Sequence, residues 1–152
     1  GSGFFQHGHT YLGHPVAAAA GCAVFKEIDS KDLGSRVRDL GPRFESALRE
    51  QFLDHQMVGD IRGRGLFWAI ELVSNKETKE PFDPALRVAA NIKKAAFENG
   101  LICYPMAGTR DGGKGDHVLL APPFFIYDVQ IEELIGKLAS AIDVCAPQHT
   151  AA

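Results

Sequence analysis

Phe4-Phe5-Gln6-His7-Gly8-His9-Thr10-Tyr11-Leu12-Gly13-His14-Pro15 stands at the head of this chain, and its reading decides the rest. Aromatics, glycines and histidines alternate here with no apolar period of two or of 3.6, so the segment reads as a loop. Loops of such composition touch ligands when a scaffold holds them in place. Pro15 then falls where a helix starts, since its missing N–H costs nothing at the first helical position. Residues 16–25 are dense in alanine and continue that helix with a thin surface that lets neighbours approach.

Working outward, Ser30 is placed to cap a second helix. Leu33, Val37, Leu40, Phe44, Leu48 and Phe52 recur at the spacing of one helical face. Gly41-Pro42 interrupts that face and predicts a kink, or two helices meeting. Beyond Gln56 the pattern changes. Residues 57–62 and 66–73 read as two strands around a turn at Gly63-Arg64-Gly65. Asp83-Pro84 opens a third helix and Gly100 closes it. Residues 101–105 form a short strand, 107–116 an exposed loop and 117–121 a strand stopped by Pro122-Pro123. Asp128 starts a last helix with Ile131, Leu134, Ile135, Leu138 and Ile142 on one face. The order predicts an α+β fold: a small antiparallel or mixed sheet with helices packed on one face, preceded by linking helices.

Composition narrows the partners. The 152 residues are 45% hydrophobic and 23% charged, enough to bury a core. A formal net charge of −3 argues against a nucleic-acid or anionic-membrane surface. No apolar run approaches the roughly 20 residues of a membrane span. Cys22, Cys103 and Cys145 are far apart and odd in number, which predicts neither a disulfide framework nor a zinc ribbon and suits a reducing cytoplasm.

Several side chains carry two readings. His7, His9 and His14 could ligate a metal, but no nearby cysteine or carboxylate completes a set. A polar loop, with His14 bonding to backbone near the helix start, needs less, and no metal is expected. Thr10 read alone caps its own turn. Arg62 and Arg64 could grip a carboxylate, or satisfy carbonyls or solvent at a turn. Strand alternation turns Glu71 toward solvent and leaves Phe67 and Trp68 to packing. Arg110, in the glycine-rich stretch 108–117, is either a ligand-seeking cation on a flexible loop or scattered surface charge.

Three motifs, in order, carry a resemblance. The opening loop resembles the Phe-x-His-Gly-x-Thr-Tyr-x-Gly-His-Pro segment of the class III pyridoxal-phosphate-dependent aminotransferases, enzymes of fold type I. Val58-Gly59-Asp60-Ile61-Arg62-Gly63-Arg64-Gly65-Leu66 with Ile70-Glu71-Leu72-Val73 is similar to their central hairpin. Gly100-Leu101-Ile102 and Val118-Leu119-Leu120-Ala121-Pro122-Pro123-Phe124 look like their tail.

The resemblance implies the C-terminal part of such an enzyme. Residues 1–25 would be a phosphate-loop and helix remnant of the large domain, 26–56 a linking helical region and 57–152 the C-terminal small domain. It implies amino transfer between an amine or amino acid and a 2-oxo acid, with pyridoxal 5'-phosphate as cofactor of the complete enzyme. Thr10, with His9, would contact the cofactor phosphate of a partner subunit in a homodimer, and Arg110 and Phe5 would meet the substrate. The family's Schiff-base lysine and the acid facing the pyridinium nitrogen lie upstream, on the large domain. The eight lysines here have other contexts, so the chain alone is expected to be inactive and not to hold the cofactor. The competing reading is a stand-alone anion- or partner-binding α+β module without catalysis.

Overall fold

The computed structural model describes residues 3–5 and 7–146. The chain divides into two compact units, Gly1–Ser35 and Arg36–Ala152.

The first unit holds the opening loop and helix α1, Pro15–Ser30. Pro15 is the first helical residue, and the ring of His14 caps the helix: its Nδ1 accepts the Ala17 N–H at 3.3 Å. Not one residue of α1 is buried, and Val16, Val24 and Phe25 stand open. Ser30 does not cap the next helix. It ends α1, its hydroxyl turned back onto the Glu27 carbonyl, and Asp32 at φ 44° makes the break.

Helix α2, Leu33–Phe52, runs without interruption through Gly41-Pro42, where the sequence predicts a kink or a join. An interior proline costs roughly 3 kcal/mol. Leu40, Phe44, Leu48 and Phe52 are all buried, and each such side chain contributes about 1.5–3 kcal/mol. Burial therefore wins. Gly41 is required for another reason: a Cβ there would come to 3.0 Å from the Cα of Gly65.

The second unit is built on a four-stranded antiparallel sheet of order β1-β2-β4-β3. The strands are β1, Val58–Arg64, β2, Phe67–Leu72, β3, Tyr104–Arg110, and β4, Lys114–Leu120. Alternation sorts the faces. Trp68, Ile70 and Leu72 of β2 and Asp116, Val118 and Leu120 of β4 are buried on one side. On that side the apolar members pack with α2, with Val88, Ile92 and Ala96 of α3, Val88–Glu98, and with Ile131, Ile135, Leu138 and Ile142 of α4, Asp128–Val144. Helices on one face of a small antiparallel sheet are the expected α+β arrangement.

Three local predictions are corrected. The β1–β2 turn is Gly65-Leu66, with Arg64 paired to Phe67. Gly63 belongs to the strand, where a Cβ would lie 2.3 Å from the Phe67 carbonyl oxygen; Gly65, at φ +60°, makes the turn. Asp83-Pro84 does not open α3: Asp83 caps a 3₁₀ turn, Pro84–Leu86, and α3 begins after Arg87, at φ 50°. Finally, β3 starts at Tyr104 and the stretch 107–116 is not a loop. Strand pairing continues to Arg110 opposite Lys114, with an irregularity after Ala107 where Gly108 turns at φ +79°.

Backbone groups of the edge strand β1 carry side-chain partners. Lys79 donates to the Gly59 carbonyl at 2.7 Å, Arg49 to the Ile61 carbonyl at 3.4 Å, and the Ile61 N–H donates to Asp60 at 2.9 Å.

Candidate cofactor and substrate site

The candidate residues fall in both units. In the first, the loop turns at Thr10: the Leu12 N–H donates to the His9 carbonyl at 2.9 Å and the His14 N–H to that of Tyr11 at 3.0 Å. Phe5, His9 and Thr10 are exposed, Phe5 by 89%. The rings of Phe5, His7 and His9 follow one another, with centroids 5.5 Å and then 4.8 Å apart. Tyr11 meets His14 edge-on at 5.9 Å. His14 spends its Nδ1 on the α1 cap, the structural role read from the sequence. Among the described residues no group of three or more His, Cys, Asp or Glu is arranged to hold a metal ion.

In the second unit Arg110 ends β3 with its side chain 60% exposed and its Nε 4.0 Å from Asp111. Across the hairpin Lys114 lies 3.8 Å from Glu80. Among the described residues Arg110 is thus held by one long, exposed contact, and its guanidinium has donors to spare.

Arg62 is committed elsewhere. Its Nη1 donates to Asp60 at 2.8 Å and to Glu71 at 2.7 Å. Two carboxylates raise the Arg62 pKa further, Glu71 foremost, and the hydrogen bond from Arg62 lowers that of Asp60. Glu71 does face the outer side of the sheet, as alternation predicts, but it is this arginine's partner there. Burial pushes the thiols of Cys103 and Cys145 up, toward the protonated form, which is a poor nucleophile.

The lysines serve the fold or lie in solvent. Lys76 donates to the carbonyls of Leu53 and His55, and Lys137 to that of Gly100. Lys31, Lys94 and Lys114 pair with Glu27, Glu98 and Glu80. Lys26 and Lys93 are exposed.

Three positioning residues had no local signal in the sequence. Asp116 is 5% exposed and accepts the Ala89 N–H at 3.1 Å, capping α3 from β4. Arg36 donates to the carbonyls of Phe124 at 3.1 Å and Ile126 at 2.6 Å and lies over Tyr127, which fixes the path from β4 into α4. His55 joins two ends: its Nδ1 accepts the Met57 N–H and its Nε2 meets Asp143, both at 3.1 Å. Each of these contacts spans an element boundary, and those of Asp116, Arg36 and His55–Asp143 bridge 27 to 90 positions.

A one-sided α+β sheet domain together with an exposed His-x-x-Thr-type loop is the make-up of the C-terminal part of a transaminase. The aminotransferase class-III family matches residues 2–142, and the chain belongs to that family. An aminotransferase of Gibberella zeae is 43% identical over 143 residues, 93% of this chain and 28% of that protein. Gamma aminobutyrate transaminase 2 of Solanum lycopersicum is 33% identical over 92% of this chain and 29% of its own length. Among solved structures, the PMP-bound aminotransferase of Vibrio fluvialis superposes with a TM-score of 0.76 at 36% identity, covering 93% of this chain and 29% of that one. An (S)-enantioselective omega-transaminase of Thermomicrobium roseum gives 0.79 at 26% identity, covering 97% and 31%. The chain therefore spans only about 30% of the length of the proteins it matches. Among the described residues no helix is long and apolar enough to cross a membrane.

Proposed function

We propose that this chain is part of a pyridoxal-phosphate-dependent aminotransferase that moves an amino group between an amine or amino acid and a 2-oxo acid. The observation that carries this reading is the family match over residues 2–142. When bound, the cofactor supplies an electron sink for bond changes at the substrate carbon.

The residues present fit one end of that group. Thr10 offers an exposed hydroxyl at a turn, and nothing lies within 4 Å of the Cβ position of Gly8, so an anion can approach the backbone there. In our reading Thr10, with His9, holds the cofactor phosphate across the boundary between two subunits of a homodimer. Arg110, with a guanidinium that keeps donors to spare, takes the substrate carboxylate, and Phe5 lines the substrate pocket. Residues 1–25 belong to the large domain, 26–56 link and 57–152 form the small domain. The enzyme works in the cytoplasm.

The proposal also holds that the chain by itself neither retains the cofactor nor reacts. The positions of its lysines support this: six have carbonyl or carboxylate partners of their own fold, and Lys26 and Lys93 stand in open solvent. The test is an absorbance titration of the 152-residue chain with pyridoxal phosphate. No saturable shift of the cofactor band is expected. A stoichiometric band that disappears on adding an amine would contradict the proposal.

A further inference from the structure

The chain contains one Asn-Gly bond, Asn99-Gly100, and one Asp-Gly bond, Asp111-Gly112. Both invite the same reaction. The backbone nitrogen of the glycine attacks the side-chain carbonyl carbon of the preceding residue and closes a five-membered imide. Glycine leaves room for that approach because it has no Cβ. By sequence the asparagine bond is the more reactive, since ammonia leaves an amide more readily than water leaves a carboxyl group that is mostly ionised.

The fold reverses the order. Asn99 caps α3 and Gly100, at φ +73°, closes the helix as its left-handed end. The attacking nitrogen is occupied: the Gly100 N–H donates to the Phe97 carbonyl at 3.0 Å. The neighbouring N–H groups are held as well, Asn99 on Ala95 at 3.0 Å and Leu101 on Ala96 at 2.8 Å. The Asn99 side-chain amide reaches Ser140 at 3.4 Å and Lys137 reaches the Gly100 carbonyl at 3.4 Å. Closing the imide would require unwinding the end of α3.

At Asp111-Gly112 the attacking nitrogen carries no such bond, and the Asp111 carboxyl has only a long contact, 4.0 Å to Arg110. The pair forms the centre of the β3–β4 turn, with both residues at positive φ, 57° and 73°, and the Gly113 N–H donating to Arg110 at 3.3 Å. In such a turn the third residue's N–H points away from the ladder. Among the described residues the Gly112 N–H has no acceptor. The Asp111 carboxyl is 90% exposed, and nothing lies within 4 Å of the Cβ positions of Gly112 and Gly113. The tip is exposed to water along residues 111–113.

We propose that Asp111-Gly112 is a spontaneous isoaspartate site in the folded chain and that Asn99-Gly100 is protected. The step balances without any co-reactant. The Gly112 nitrogen bonds to the Asp111 Cγ, a Cγ–O bond breaks and one water leaves. Water then adds at the Asp111 α-carbonyl, whose bond to the Gly112 nitrogen breaks. The chain afterwards runs through the side-chain carbon, lengthened by one methylene directly beside Arg110, and the α-carboxylate becomes the branch. Nothing is oxidised or reduced. This inference stands independently of the proposed function.

The test incubates the full chain at neutral pH, native and in denaturant, and maps it with a protease that cuts before aspartate and not before isoaspartate. In the native sample, cleavage between Arg110 and Asp111 should be lost progressively at unchanged peptide mass, while Asn99 keeps its amide. In denaturant Asn99 should deamidate first. Asp111→Glu, which keeps the charge at an exposed position, should abolish the native isoaspartate signal in a methyl-transfer assay specific for that residue. Native deamidation of Asn99 ahead of change at Asp111 would overturn the proposal. So would an Asp111 that stays intact in the native sample over a period in which the denatured one converts.

Discussion

Asp116 reaches across from β4 to cap a helix it does not precede: its carboxylate accepts the Ala89 N–H at 3.1 Å while only 5% of the residue is exposed. Arg87, the residue before α3, makes no side-chain cap, so the orphan Ala89 donor of that helix depends on the sheet. Asp116→Ala should destabilise the chain by about 1–3 kcal/mol, the range for losing a cap and stranding a buried donor. Asp116→Asn keeps an acceptor and should cost less. Urea unfolding of both variants, with amide exchange in α3, measures this. Equal stability of Asp116→Ala and the parent would mean water replaces the carboxylate.

Two glycines should respond oppositely to alanine. Gly136 lies within α4 with open space around its Cβ position, so Gly136→Ala should stabilise by roughly 0.5–1 kcal/mol. At Gly63 the new carbon would lie 2.3 Å from the Phe67 carbonyl oxygen and 2.6 Å from the Trp68 ring. Gly63→Ala should cost at least about 1–3 kcal/mol. The shift of the thermal midpoint, up for one and down for the other, decides both.

The Asp60–Arg62–Glu71 cluster predicts a direction with pH. Hydrogen bonding from Arg62 holds Asp60 below the ordinary carboxylate value. A group depressed by folding lends stability above its unfolded value and loses it as pH falls through the folded one. The loss therefore begins near about pH 4 and continues below. Both side chains are more than half exposed, so the effect is small and screened by salt. Asp60→Asn should flatten the acid limb of a stability–pH curve at low ionic strength; an unchanged limb would assign the acid sensitivity to other carboxylates.

In the complete enzyme Thr10→Ala should weaken cofactor retention by one to two decades, since a hydrogen bond to a charged group contributes about 1.5–3 kcal/mol. The turnover of the loaded enzyme should change little, because the phosphate keeps its charge throughout the reaction. Arg110→Ala should raise KM for an acidic substrate and spare a plain amine. Cofactor titration and paired kinetics read the two effects separately. Unchanged cofactor affinity in Thr10→Ala would remove the phosphate role.

What could be read in the sequence was local. Pro15, Gly100 and Asp128 mark helix ends through the chemistry of one or two residues, and each marks it in the structure. The apolar periods of α2 and α4 name the faces that meet the sheet. Two of the misreadings arose where a partner outside the motif decides. Asp83-Pro84 has the form of a helix start, but the cap of α3 comes from Asp116. Gly63 and Gly65 are both turn residues by type, and it takes the pairing of Gly63 with Trp68 to place one in the strand and the other, at φ +60°, in the turn. The candidate site follows the same division. Thr10 is singled out by its motif and Arg110 only by lying in a glycine-rich stretch, whereas the commitment of Arg62 to Asp60 and Glu71 needed the strand register.

The dressed edge of β1 bears on how copies of this chain can meet. With Lys79, Arg49 and Asp60 already bonded to its backbone, that margin offers little to an incoming strand, and on β3 Pro105 lacks the donor a ladder would need. Growth by adding strand to strand, which has no natural end, is stoppered at both margins. Contacts between copies are thereby directed to side chains on the faces of the domain and away from an added strand.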